Sequence, residues 1–291
     1  MPLDPTTVGQ SSSAHDYRYD WRTLATYALG VGARRSELSF LYEGTEGGIR
    51  ALPTFAVIPV QPPVFEVLEK TGGDFAMVVH GAQTIRVHRA LPPEGRIRST
   101  ATISGIYDLK RFAQVVVDTK SELVDEAGQP VGEGPIFETS WSIIYRGAGG
   151  FSGPRPPEND APSVPKDRAP DFVFEQPTSP EQALLYRLSG DYNPLHADPV
   201  LAEKVGFPQG PILHGLCTYG VVGRAVVHEA CGGDPSRLRV LSAQFRKPVW
   251  PGDTLVVQGF RLDDGRIALS ALVKERSEAV LGGAYAELAP G

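Results

Sequence analysis

Residues 186–219 read YRLSGDYNPLHADPVLAEKVGFPQGPILHGLCTY, and the fold turns on where that stretch is broken. Gly190 and Pro194 interrupt the periodicity of the preceding EQALLYRL, and the residue before a proline is pushed towards extended or turn backbone. Asp191, Asn193 and His196 therefore sit on a short polar turn. A short helix follows, then a Pro- and Gly-rich turn that delivers His214 and Gly215 to the start of an apolar helix. That helix, ILHGLCTYGVVGRAVVHEA, is long enough for about four turns. An aspartate and a histidine on one held loop can converge on a single water molecule, each tuned by burial and by the other's charge. A helix beginning near Gly215 presents N–H groups with no intrahelical partner, where a developing negative oxygen can be bound. Each feature also has a plain packing reading: Asp191 as a helix cap, His196 as a core histidine, Gly215 as a tight helix entry.

The first half of the chain carries an echo of this stretch. DWRTLATYALGVGA reads as a helix capped by Asp20 and ended by its glycines. It resembles SPEQALLYRLSGD, with Tyr27 matching Tyr186 and Leu29 matching Leu188. LPTFAVIPV matches ILHGLCTYG, and RALPPEG matches KPVWPGD. All are shifted by roughly 160 positions, the mark of a duplication. The sequence predicts a unit over 1–150, a Gly/Pro-rich linker over 151–170 and a second unit over 171–291. In the first unit Pro53 stands where the second has His214, and no Asp or His occupies the catalytic turn. Pro59, Pro62 and Pro63 forbid a continuous helix there, so its central helix is shortened or broken. The first unit is read as non-catalytic, with room left beside its sheet.

TIRVHRAL, RIRSTATISGIYDL, AQVVVDTKSELVD and SWSIIYRG alternate apolar and polar positions as antiparallel strands. LRVLSAQFRKPVW, TLVVQGFRL, RIALSALVKER and AVLGGAYAEL supply the second sheet, with a hairpin turn at Asp263-Asp264-Gly265. Residues 1–18 read as a loose polar leader. His214 is a candidate for substrate contact, and a second His-Gly pair, His80-Gly81, lies in a strand context and is a weaker candidate for ligand contact, while His88, His15 and His228 carry no motif. Arg246 and Lys247 are solvated strand-end charges, with contact to phosphate as the minority reading.

The chain has 291 residues and a formal net charge of −6, with no Lys/Arg-rich run able to neutralise a nucleic-acid backbone. No run of about eighteen apolar residues suggests a membrane span. The two cysteines, Cys217 and Cys231, fall in or near the apolar helix, too far apart to bridge, and read as reduced thiols. The N-terminus lacks a secretory pattern and the C-terminus lacks a peroxisomal tripeptide, so a cytosolic setting is expected. A metal at Asp191, His196 and Asp198 is disfavoured because no second histidine is near in the sequence.

SGDYNPLHADP followed by GFPQGPILHGLCTYG resembles the signature of the MaoC-like dehydratases, and within them the R-specific enoyl-CoA hydratase 2 group, found also as a domain of peroxisomal multifunctional enzyme type 2. The resemblance implies an α+β tandem hot-dog fold, each antiparallel sheet wrapping a central helix. It implies that Asp191 and His196 are the catalytic pair, that Asn193 helps orient the water, and that the Gly215 N–H holds the thioester oxygen. The activity implied is reversible hydration of a trans-2-enoyl-CoA to a (3R)-hydroxyacyl-CoA. The partner is then an acyl-CoA, the assembly a homodimer, and no metal or redox cofactor is required. Which of Asp191 and His196 starts as base stays open, as do acyl length and pathway. A hot-dog thioesterase, a dehydratase acting on a carrier-protein substrate and a non-enzymatic acyl-CoA-binding subunit are the alternatives.

Overall fold

The structure, a computed structural model, describes residues 3–75 and 78–290. The chain forms two compact units that are not linear halves. One comprises Met1–Arg18, Ala56–Arg89 and Gly95–Ala161; the other comprises Tyr19–Phe55, Ala90–Glu94 and Pro162–Gly291. Among the described residues no helix is long and apolar enough to cross a membrane.

In the first unit, strands β1 (His15–Tyr19), β2 (Val78–Val87), β3 (Gly95–Leu109), β4 (Phe112–Val124) and β5 (Phe137–Arg146) lie in the order β1-β3-β4-β5-β2. The alternation in the sequence is met: Ile97, Ala101 and Ile103 of β3 and Ala113, Val115 and Val117 of β4 are buried. Buried hydroxyls on that face pair with one another, Ser99 with Ser121 and Thr119 with Thr139, each at 2.7 Å. The helix against this sheet, α2 (Gln61–Lys70), buries Val64, Val67 and Leu68. It is shortened as the prolines require. A 3-10 turn at Pro53–Val57 precedes it, and Pro62 and Pro63 fall in the first turn of α2, where a missing N–H removes no helical bond.

Residues 3–18 are not a loose leader. Pro5–Thr7 form a 3-10 turn, Ser11 bridges to Thr102, and β1 joins the sheet. Glu66 of α2 ties the segment down. It accepts from the Ser13 N–H at 3.0 Å, the Ser13 hydroxyl at 2.7 Å and His15 Nε2 at 2.7 Å. Those bonds hold its carboxyl at about 2.

The second unit has the sheet order β7-β11-β9-β8-β6, built from β6 (Phe172–Pro177), β7 (Leu238–Phe245), β8 (Thr254–Arg261), β9 (Ile267–Val273) and β11 (Leu281–Leu288), with β10 (Glu278–Ala279) paired to β9. Its helices are α1 (Trp21–Gly30), α3 (Gln182–Tyr186), α4 (Pro199–Lys204) and α5 (Gly215–Glu229). Every residue of α5 from Leu216 to Val227 is buried. An apolar side chain so placed contributes about 1.5–3 kcal/mol.

Helix α1 shows why residues 19–55 leave the first repeat for the second unit. Asp20 caps α1 in a capping box with Thr23, as the sequence predicts. Its apolar face then lies on α3: the Tyr27 and Tyr186 rings, equivalent by the repeat, are 6.1 Å apart. Gln182 donates through Nε2 to the carbonyls of Leu29 (3.1 Å) and Gly30 (2.7 Å). On α5 a Cβ at Gly220 would stand 2.3 Å from Val31 Cγ1, so the segment after α1 approaches that helix closely.

Candidate active site

Gly190, at φ +126°, turns the chain out of the 3-10 turn Arg187–Ser189 and sets the half-buried Asp191 at the head of the polar loop. The Asp191 side chain accepts the Asn193 N–H at 3.2 Å. Asn193 Oδ1 caps the next turn, Pro194–His196, by accepting the Leu195 N–H at 3.0 Å, which leaves its amide NH₂ as a donor. Asp198 caps α4 through the N–H groups of Val200 and Leu201, and so acts in folding. His196 is buried, and its Nδ1 lies 2.8 Å from the Ile212 carbonyl. A carbonyl only accepts, so Nδ1 carries the proton and Nε2 keeps the lone pair. Burial, against smaller opposing contributions from Ile212 and Asp191, lowers the His196 pKa and keeps the ring neutral.

The second segment closes on the first. His214 is 1% exposed, and its ring stacks on His196 at 3.7 Å and 28°. Its Nε2 lies 3.1 Å from the Asp191 backbone carbonyl. Burial, with the neighbouring His196 adding to it, pushes its pKa down to about 2. Tyr186 packs against it with ring centroids 4.9 Å apart. Gly215 is the first residue of α5, whose leading N–H groups have no partner within the helix. A Cβ at Gly215 would stand 3.2 Å from Phe245 Cδ1, so the space beside that N–H is narrow.

A carboxylate oxygen of Asp191 and one nitrogen each of His196 and His214 lie within 4.8 Å of one another. The sequence places His214 at the helix start as a candidate substrate contact; the fold instead stacks it on His196. The set suits a shared water. Each ring spends one nitrogen on a backbone carbonyl, and the remaining nitrogen of His214, Nδ1, is buried, which leaves His196 Nε2 and Asp191 as the groups able to exchange a proton with it.

Beside His196 runs a cleft of about 560 Å³, walled by Ala183, Leu184, Pro211, Trp250 and Arg276. Arg276 lies over Trp250 at 5.1 Å and pairs with Asp253 at 2.8 Å and Glu278 at 2.9 Å. Of the sequence's phosphate candidates, Arg246 bonds Gln244 and Lys247 lies 4.0 Å from Glu278; neither lines this cleft. His80 belongs to β2 of the other unit, stacked on Trp141 at 4.7 Å with Nε2 3.0 Å from the Ala82 carbonyl. Burial lowers its pKa to about 4.

Behind α5 lies a charged cluster the sequence did not single out. Arg224, 1% exposed, donates to the Val31 carbonyl at 2.6 Å, and its Nε stands 3.0 Å from Glu37 Oε1. His228 Nε2 reaches the same Glu37 oxygen at 2.6 Å. Burial alone would raise the Glu37 pKa, but His228, Arg224 and the Arg34 N–H together hold it down. The signal was present: an arginine in the middle of GVVGRAVVHE, with a histidine one turn on, needs a buried partner.

Residues 17–147 match the MFE-2 hydratase 2 N-terminal domain and residues 162–279 the MaoC like domain. The 3-hydroxyacyl-thioester dehydratase Y of Mycobacterium tuberculosis is 40% identical over 269 residues, covering 91% of this chain and 90% of that one. A probable enoyl-CoA hydratase 2 of Dictyostelium discoideum is 36% identical over 280 residues, covering 94% and 92%. The crystal structure of a MaoC-like dehydratase from Phytophthora capsici superposes with a TM-score of 0.83 at 31% identity, over 99% of this chain and 100% of that one.

Proposed function

The chain belongs to the MaoC-like dehydratases, with a domain of the MFE-2 hydratase 2 N-terminal type ahead of the MaoC like domain, and from that membership we propose that it is a hydro-lyase of enoyl-CoA thioesters. It adds water to a trans-2-enoyl-CoA to give the (3R)-hydroxyacyl-CoA, and removes it in reverse. The observation that carries this reading is the convergence of Asp191 and His196 beside the open start of α5.

Asp191 and His196 hold one water against C3 of the substrate. His196 Nε2, free because Nδ1–H is donated to Ile212, takes a proton as the water oxygen bonds to C3. The C2–C3 π electrons shift towards the thioester oxygen. The Gly215 N–H and the positive end of α5 meet that charge, an effect worth roughly 3–4 kcal/mol per donor. The proton then returns to C2 on the same face, so the elements of water are added and no metal or redox cofactor is used. The Asn193 NH₂ orients the water.

The shortened helix of the first unit, ten residues against fifteen in α5, supports the proposal that this unit accommodates a medium, long or bulky acyl chain. An acyl-CoA substrate, a homodimer and a cytosolic setting complete the proposal. The buried free thiols of Cys217 and Cys231 support a reducing compartment. Asp191→Ala and His196→Ala should each lower turnover of an enoyl-CoA by about two orders of magnitude or more, with far-UV circular dichroism unchanged. Near-wild-type turnover in either variant would refute the assignment.

A further inference from the structure

The hydration chemistry requires two groups at a fixed separation: the water on Asp191 and His196, and the Gly215 N–H. They come from a surface loop and from the head of a buried helix, 191 and 215 in the chain. We propose that His214 is the positioning residue that joins them, a strut whose Nε2–H is donated to the Asp191 carbonyl while its backbone starts α5. The proposal rests on the hydratase reading of this site.

Both ends of the strut are visible. The His214 carbonyl accepts from the N–H groups of Cys217 at 3.0 Å and Thr218 at 3.2 Å, so its backbone is part of the helix start that carries Gly215. Its side chain reaches back to the loop at 3.1 Å. The ring cannot swing, because His196 covers it at 3.7 Å and Tyr186 packs against it at 4.9 Å. The same stack fixes the plane of the His196 ring, whose Nδ1–H is anchored separately on Ile212.

The chemistry of the ring separates strut from filler. With Nε2 protonated for the Asp191 carbonyl and the ring neutral, Nδ1 presents a lone pair, and that buried nitrogen has no hydrogen-bond partner among the described residues. An unpartnered buried polar atom carries a desolvation cost. A phenylalanine would fill the same space without it, so what the imidazole adds is the N–H. Depth of burial also removes His214 from the role of a substrate ligand: it acts through Asp191 and His196.

The test compares two replacements. His214→Gln places an amide N–H about where Nε2 stands and gives up the ring; His214→Phe keeps the ring and gives up the donor. If the strut is the function, His214→Phe lowers kcat by about 10- to 100-fold with KM within about threefold, the scale of a small misplacement of reacting groups. His214→Gln then recovers to within about fivefold of wild type. If His214→Phe equals or exceeds His214→Gln with both folded, the ring is packing and the proposal fails. A measurement on the unaltered protein stands apart from variant folding and from turnover. Histidine-selective ¹⁵N NMR should show His214 as the neutral Nε2–H tautomer from pH 8 down to pH 5. A proton on Nδ1, or a titrating ring, overturns the strut. A protein that shows this tautomer but hydrates no enoyl-CoA would instead sink the hydratase reading.

Discussion

Acidification from pH 7.5 to pH 5.0 should destabilise the protein by about 2 kcal/mol through His214 alone, and His214→Phe should remove that share of the loss. Burial, with His196 adding to it, lowers this imidazole from 6.5 to about 2. An unfolded chain protonates the ring below 6.5, whereas the folded protein leaves it neutral until about 2. Between those values the unfolded state binds more protons, so stability falls as pH falls. At pH 5.0 the reference value lies about 1.5 pH units above ambient, and at about 1.36 kcal/mol per unit this gives about 2 kcal/mol. His196, lowered in the same direction, adds to the wild-type loss and stays in both proteins. The carboxyls of Asp16 and Glu66, held at about 2 by their partners, begin to cost stability only below their ordinary 3.8 and 4.5, so pH 5.0 isolates the histidines. Urea unfolding of wild type and His214→Phe at both pH values, with equal m-values, reads the difference. Equal losses in the two proteins would mean that His214 is protonated in the fold, and would refute the reasoning.

Two further substitutions probe the helix start and the cluster behind it. Gly215→Pro should keep α5, because proline is favoured at the first helical position and His214 already has φ −57° and ψ 133°, a conformation that suits a residue before proline. It deletes the N–H proposed to hold the oxyanion, and kcat should fall about 10²- to 10³-fold. Gly215→Ala, which shares the Cβ against Phe245 but keeps the N–H, is the steric control and should stay within about tenfold of wild type. Equal losses would assign the effect to crowding. Arg224→Met removes the permanent charge that faces the buried Glu37 carboxylate, leaving His228 beside it, and should destabilise by about 3–5 kcal/mol in urea unfolding. Adding Glu37→Gln should recover a large part of that, and no recovery would mean that packing outweighs the ion pair.

Where chemistry and local periodicity coincide, the sequence was legible. The break at Gly190 and Pro194, the helix from Gly215, the cap at Asp20 and the strands of both sheets other than β1 and β6 follow from backbone preference and alternation alone. What lay hidden was set by contacts distant in sequence. The move of residues 19–55 into the second unit depends on Tyr27 meeting Tyr186 and Gln182 reaching Leu29 and Gly30, and no local pattern encodes such a docking. Strand β6, FVFEQP, carries little signal because it is a short edge strand ending in proline, paired among the described residues with β8 alone. The leader looked loose because its anchors, Glu66 and Thr102, lie far along the chain. At the site, the loop and helix start could be read, whereas the stack of His214 on His196 could not: it needs the Ile212 carbonyl to fold back onto a ring sixteen residues earlier.

The central claim is R-specific hydration, and the most direct measurement is incubation of the purified protein with trans-2-enoyl-CoA thioesters from crotonyl-CoA upwards. Loss of the conjugated thioester absorbance is followed, and the product enantiomer is identified by chiral chromatography. The expected product is the (3R)-hydroxyacyl-CoA, with turnover rising as the acyl chain lengthens and no free thiol released. A (3S) product, liberated coenzyme A, or a folded protein that leaves every enoyl-CoA untouched would contradict it.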